Sequence, residues 1–369
     1  MTGLGFVSSS IPRDRTLVVI FLRGGADGLT LVAPVADDAY QRARPTLRVK
    51  PSEGVRLDDI FVLHPRLAPL SPLWVAGELA IVHSVGSEDA TRSHFEAQDL
   101  MEHGGTGAGG WLGRFLRLRA VGQRSALSAV AFGTELPAAL RGAPSATVLR
   151  SLGTFSLGDG AHGMLRALAT LYAKERNALG EAARDTVDAL HRLERLAGAP
   201  RPLAASDYPR DDFGEALRQT AQLVRAGVGL EAATIDLGGW DSHFTQQQLL
   251  DPAMDRLARG LAAFRRDLGP DLERTTVVVM TEFGRRVAEN SALGTDHGRA
   301  SVMFAFGGGV RGGRVLGGWP GLDTLEGPGD LPVSTNYRNV LAPILSQMAE
   351  KRVVAETFPG FALQPVPLG

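Results

Sequence analysis

The sequence predicts an α/β protein, a three-layer α/β/α sandwich around a mainly parallel central sheet. Two observations point there: six short apolar, β-branched runs recur along the chain, and stretches with helical spacing separate them. Several runs are continuously apolar rather than alternating, as strands covered on both faces must be.

In chain order the strands are TLVVIFL (16–22), LAIVHSV (79–85), LSAVAFG (127–133), EAATIDL (231–237), TTVVVMT (275–281) and SVMFAFG (301–307). Helical periodicity covers 65–77, 94–103, 163–197, 212–226, 245–267 and 337–350. Ser93 followed by Glu96 is a capping-box pair that starts the helix at 94. The Pro- and Gly-bearing stretch 134–210 reads as a helical insertion beside the sheet, and the whole of 1–369 as one elaborated domain. Right-handed crossovers would join the parallel strands.

Composition narrows the function. With 44% hydrophobic and 21% charged residues over 369, the chain can bury a sizeable core. A formal net charge of -1 argues against a nucleic-acid partner held by broad basic electrostatics. The absence of cysteine excludes disulfides, thiolate nucleophiles and cysteine-ligated zinc or iron–sulfur clusters. No apolar run approaches the roughly 20 residues that span a bilayer. The opening MTGLGFVSSSIPRDR lacks the basic start and long apolar middle of an intact signal peptide. Oligomeric state leaves no mark on the sequence.

Ligands of open α/β sheets sit beyond the carboxyl ends of the strands. There the chain carries RGGADG with Asp27, then GSEDATRSHFEAQD with Arg92, Ser93 and His94. GGWDSH follows with Asp241 and His243, then TEFGRRVAENSALGTDHG with Glu282, Arg285, Asp296 and His297. Carboxylates and imidazoles converging from separate segments are what a divalent metal with oxygen and nitrogen ligands requires. Ordinary roles fit some of them singly. Asp27 suits a glycine-flanked turn, Asp241 a cap for a helix near Phe244, and Ser93 a helix N-cap. His64 and His83 read as satisfied turn or core histidines.

The order of strand-end Asp, helix-start Ser, Asp with a following His, and late GTDH resembles the alkaline phosphatase superfamily. Across residues 16–360, RGGADG, SHF, GGWDSH, TEFGR, GTDHG and GGGVRGG together resemble a bacterial family of sulfatase-like proteins called domain of unknown function 1501. The resemblance implies an alkaline phosphatase-like fold, a phosphoester or sulfate-ester substrate, and one or two divalent ions, Zn, Mn, Mg or Ca. It implies Asp241, His243 and His297 at one metal, Asp27 and Glu282 at a second, and Ser93 as a nucleophile bridging both. Phe283 stands where phosphopentomutases have a second-site histidine, so that site is expected to be oxygen-rich, with His94 or Asp296 completing it. Arg92 or Arg285 would stabilise charge on the non-bridging oxygens, although Arg285 and Arg23 equally suit structural ion pairs. Without cysteine no formylglycine can form from it, which favours phosphoesters over sulfate esters. A fold kept for binding or assembly without catalysis is the alternative that the Phe283 replacement suggests. Members of the family commonly carry twin-arginine export signals, implying a periplasmic or secreted protein if one was removed and a cytoplasmic one if this N-terminus is native.

Overall fold

The computed structural model describes residues 14–119, 125–152 and 207–369, together with isolated positions between 167 and 191. Its strands are β1 (Thr16–Arg23), β2 (Val32–Ala33), β3 (Val55–Arg56), β4 (Val62–Leu63), β5 (Leu79–Gly86), β6 (Ala129–Phe132), β7 (Thr147–Leu149), β8 (Ala232–Gly238), β9 (Thr275–Thr281), β10 (Ser301–Gly307), β11 (Arg314–Leu316) and β12 (Thr335–Asn336). Its α-helices are α1 (Gly28–Leu31), α2 (Asp38–Ala43), α3 (Ser71–Val75), α4 (His94–His103), α5 (Trp111–Leu118), α6 (Asp212–Arg225), α7 (Gln246–Leu268), α8 (Tyr337–Leu345) and α9 (Lys351–Thr357).

Among the described residues, nine strands form the main sheet in the order β11-β5-β10-β9-β1-β8-β6-β7, with β12 also on β5. All pairings are parallel except those of β10, which runs against both β5 and β9. The reason lies in the connection: residues 282–300 contain no crossover helix, so the chain turns back at the edge where β9 ended. That single reversal keeps all of 282–300 on the edge where β1, β5, β8 and β9 also end.

Period-two alternation builds the layers. In β1, Val18, Ile20 and Leu22 enter one core with side chains of α6 and α7, such as Leu217 and Leu257. Leu17, Val19 and Phe21 enter the opposite core with Trp111, Phe115, Leu341 and Phe358 from α5, α8 and beyond α9. The expected three-layer sandwich with a mainly parallel sheet is therefore the observed one, and the six expected strands coincide with β1, β5, β6, β8, β9 and β10 to within two residues at each end.

Two expected helices differ. Residues 65–77 form a 3₁₀ turn (Pro65–Leu70) followed by α3, because Pro65, Pro69 and Pro72 each lack the N–H that a continuous helix would use. The stretch 337–350 stops at Leu345 and restarts at Lys351, burying Met348 and Ala349 between α8 and α9. Residues 134–152 lie against the sheet, with β7 at its edge. The remainder of the expected insertion, including most of the helix at 163–197, lies outside the described residues.

Candidate metal centre

Four side chains from three of these strand-end segments meet above the β9-β1-β8 edge. β8 delivers Asp241 and His243, the β9–β10 connection delivers His297, and α4, following β5, delivers His94 as its first residue. One nitrogen of His94, one of His297 and a carboxylate oxygen of Asp241 lie within 4.8 Å of one another. His243 completes the group: its Nε2 is 3.2 Å from Asp241 Oδ1 and 2.8 Å from His297 Nε2. The Nε2 atoms of His94 and His297 each stand 3.5 Å from the Asp241 carboxylate.

The far side of each ring explains this orientation. His94 Nδ1–H donates to Glu282 Oε1 at 2.9 Å, and His297 Nδ1–H donates to the Arg92 carbonyl at 2.7 Å. His243 Nδ1 faces Asp296 Oδ1 at 3.7 Å. For His94 and His297 the acceptor behind the ring fixes the proton on Nδ1 and turns the Nε2 lone pair inward, the arrangement characteristic of metal-ligating histidines, whereas His243 Nε2 hydrogen-bonds His297 Nε2. Among the described residues, buried His94 Nε2 has no hydrogen-bond partner, which leaves its inward lone pair available to a cation. Two nitrogens and one carboxylate, with a third imidazole beside them, suit a divalent ion with nitrogen and oxygen ligands. The residues present therefore fit a divalent ion.

Charges around the cluster are fixed. Burial alone would push the Asp241 carboxyl up, but the hydrogen bond and charge of Arg285 hold it below the usual carboxylate range. Glu282 follows the same logic: burial opposes ionisation, and bonds from His94, Gln98 and the Gly24 N–H outweigh it. The hydrogen bond to Glu282 in turn raises the pKa of His94. Burial lowers that of His297. Phe283 packs its ring against both imidazoles, with centroids 4.8 Å from His94 and 4.9 Å from His297.

The oxygen-rich second site does not assemble as the sequence suggests. Asp27 is fully buried, and Arg44 binds both its oxygens at 2.5 and 3.0 Å, with Thr30 and Gln246 adding further bonds. A carboxylate so saturated has no lone pair to spare for a metal. Glu282 holds His94 instead of facing an ion of its own, with Gln98 Nε2 donating to the same oxygen at 2.8 Å. Asp296 is placed behind His243, bonded to Arg286 and Asn290. Ser93 caps α4, its Oγ accepting from the Glu96 N–H at 3.5 Å.

Arg285 also departs from expectation. Its guanidinium is fully buried and is spent on Asp241 Oδ1 and on the carbonyls of Gly24, Gly25, Trp240 and Thr295, so it braces the site and cannot reach a substrate. Arg92 is paired with Asp330. Arg23 takes the structural alternative, pairing with Glu102 and Asp236. Asp241 caps no helix: α7 starts at Gln246 after Thr245, which offers no side-chain cap. His83 is a buried core residue, and His64 caps the 3₁₀ turn at Pro65. Gln98 and Arg44 are the residues that the sequence reading missed. Gln98 was within reach, since it lies four residues after His94 on the same helix face.

A family model described as "Protein of unknown function (DUF1501)" matches residues 74–326, a span that contains all four cluster residues and Glu282. Among solved structures, the chain is similar to BT1596, a 2-O GAG sulfatase, with 11% identity over 95% of this chain and 71% of that one, at a TM-score of 0.32. A putative sulfatase from Bacteroides thetaiotaomicron VPI-5482 shares 10% identity over 82% of this chain and 67% of its own, with a TM-score of 0.31. The alkaline phosphatase from the Antarctic bacterium TAB5 shares 9% over 80% and 92%, with a TM-score of 0.30. No curated protein matches the chain.

Proposed function

The chain belongs to the family described as protein of unknown function DUF1501, and from that premise we propose that it is a metal-dependent hydrolase of phosphoesters, with sulfate esters as a second substrate class. The observation that carries the reading is the convergence of His94 and His297 on Asp241, each of the two imidazoles backed by an acceptor, with His243 beside them. His94, Asp241, His243 and His297 would hold one divalent cation, which supplies Lewis acidity toward an ester oxygen and lowers the pKa of a neighbouring hydroxyl.

The remaining tasks fall to the protein's own groups. Ser93 is the proposed nucleophile: its hydroxyl sits at the N-terminus of α4, where free N–H groups and the helix dipole favour an anionic ester. Attack by Oγ forms the Ser93–phosphorus bond as the bond to the leaving oxygen breaks, the hydroxyl proton ending on the departing alcohol, and water then releases the phosphoryl group from the serine, as a phosphomonoester when the substrate is a diester, and restores the Ser93 hydroxyl. Glu282 and the Arg92 carbonyl keep two rings in register, and Phe283 closes one side against water. Because Arg285 is spent on Asp241, and Arg92 is paired with Asp330, little positive charge besides the cation faces the substrate. That balance favours singly charged esters, a phosphodiester or a sulfate monoester, over a dianionic phosphomonoester.

The test is release of p-nitrophenol from bis(p-nitrophenyl) phosphate, p-nitrophenyl sulfate and p-nitrophenyl phosphate by Zn²⁺- or Mn²⁺-loaded protein. Turnover should be fastest on the diester and fall by about 10²-fold or more in both Ser93→Ala and His297→Ala. Metal-loaded protein that leaves all three esters intact would overturn the reading, and undiminished turnover in Ser93→Ala would remove that residue from the mechanism.

A further inference from the structure

Gln246 opens α7 and is only 1% exposed, so its amide must find its partners inside the protein. Four buried groups meet it. Nε2 donates to Asp27 Oδ2 at 2.6 Å and to Thr30 Oγ1 at 3.0 Å, and Oε1 accepts from the hydroxyls of Thr295 at 2.6 Å and Ser242 at 3.1 Å. An amide has two N–H donors and two lone pairs on oxygen, so its hydrogen-bonding capacity is full.

The two hydroxyls stand on the segments that carry the cluster. Ser242 lies between Asp241 and His243, and Thr295 lies two residues before His297. Both are fully buried, and Thr295 N–H also donates to the Ser242 carbonyl at 3.1 Å. One oxygen of Gln246 therefore clasps the segment of Asp241 and His243 to that of His297. Its direction is set from the other side. Burial opposes ionisation of Asp27, and the charge and hydrogen bonds of Arg44 outweigh it. An ionised carboxylate can only accept, so Asp27 admits the nitrogen of the amide and turns Oε1 toward the hydroxyls. The backbone joins the same segments: Gln246 N–H donates to the Leu293 carbonyl at 2.8 Å, and Asn290 Nδ2 to the His243 carbonyl at 2.9 Å.

We propose that Gln246, oriented by Asp27, is a positioning residue of the metal centre that sets the spacing between Asp241 and His243 on one segment and His297 on the other. The inference rests on the metal-dependent hydrolase reading. Donor groups of a binding site must be held to within about 0.5 Å, and the clasp supplies that constraint from behind the cluster. Asp27 thus serves the cation through Gln246 instead of binding it.

Zinc titration by competition with a chromophoric chelator, on variants whose circular dichroism matches the wild type, tests the clasp. Thr295→Val keeps the shape of the side chain and removes its hydroxyl, and zinc affinity should fall about tenfold or more. Thr295→Ser, which restores the hydroxyl, should return the affinity to the wild-type value. A merely structural role would lower the thermal midpoint and leave the zinc affinity of the folded protein unchanged. Gln246→Met should lose at least as much affinity as Thr295→Val, and adding Thr295→Val to it should cost nothing further, because both cut the same contact. Should Gln246→Met fail to fold, the two Thr295 variants decide alone. Unchanged zinc affinity in Thr295→Val, a loss that Thr295→Ser does not restore, or full additivity of the two losses would overturn the clasp while leaving the metal site standing. A wild type that takes up no zinc would instead bring down the hydrolase reading and the clasp with it.

Discussion

At the residue scale, the site depends on what stands behind each imidazole. Glu282 is the partner of His94, so Glu282→Gln keeps shape but replaces a charged acceptor with an amide. Outer partners of this type are worth about 10–100-fold in metal affinity. We expect zinc affinity, measured by competition with a chromophoric chelator, to fall within that range; unchanged affinity would show that Glu282 does not orient the ring. A second residue-scale prediction concerns acid. His83 is fully buried between Phe61 and Trp319, and burial pushes its pKa down to about 4. Below about pH 6.5 the unfolded chain takes up a proton that the folded one refuses until about pH 4, so stability falls across that window. The loss from this group is about 3 kcal/mol at most. Urea midpoints of wild type and His83→Gln should therefore show a steeper decline in the wild type between pH 6.5 and 4, and parallel curves would contradict the assignment. That Asp241, His243 and His297 lie together was legible from the sequence because strand ends bring polar residues together. The roles of Asp27 and Glu282 were not, since they are decided by Arg44 and His94, which only the fold places opposite them.

At the element scale, strands were the most readable features, because a strand buried on both faces must be apolar throughout. Helix interruptions were less so: the prolines of 65–72 mark a 3₁₀ turn only once the chain is seen to bury Leu67 and Leu70. The element that positions His243 most tightly is the 290–294 turn, and Gly294 is its contact point. Gly294→Ala places a Cβ 2.3 Å from the His243 backbone, so one of the two segments must move. Overpacking of this kind costs about 1–3 kcal/mol. The expected outcome is a lower thermal midpoint together with weaker zinc binding; a variant with unchanged zinc affinity would mean that the turn does not set the position of His243.

At the scale of the whole molecule, the sheet gathers the site. β1, β5, β8 and β9 end on one edge, and β10 begins there because its connection to β9 makes no crossover. The sequence showed six strands but not their spatial order, since register and direction depend on pairings made more than 200 residues apart, such as β1 with β8. This edge unites His94 with His297, and it also separates Asp27 from them: Asp27 drops below the rim to cap α1 and pair with Arg44. We therefore propose one ion per chain rather than two. The most direct measurement is the metal content of protein equilibrated with Zn²⁺ and freed of excess, read by inductively coupled plasma mass spectrometry for wild type, Asp241→Ala and His297→Ala. The account predicts one zinc per chain in the wild type and a large loss in both variants. A metal-free wild type, or two ions per chain, would contradict it.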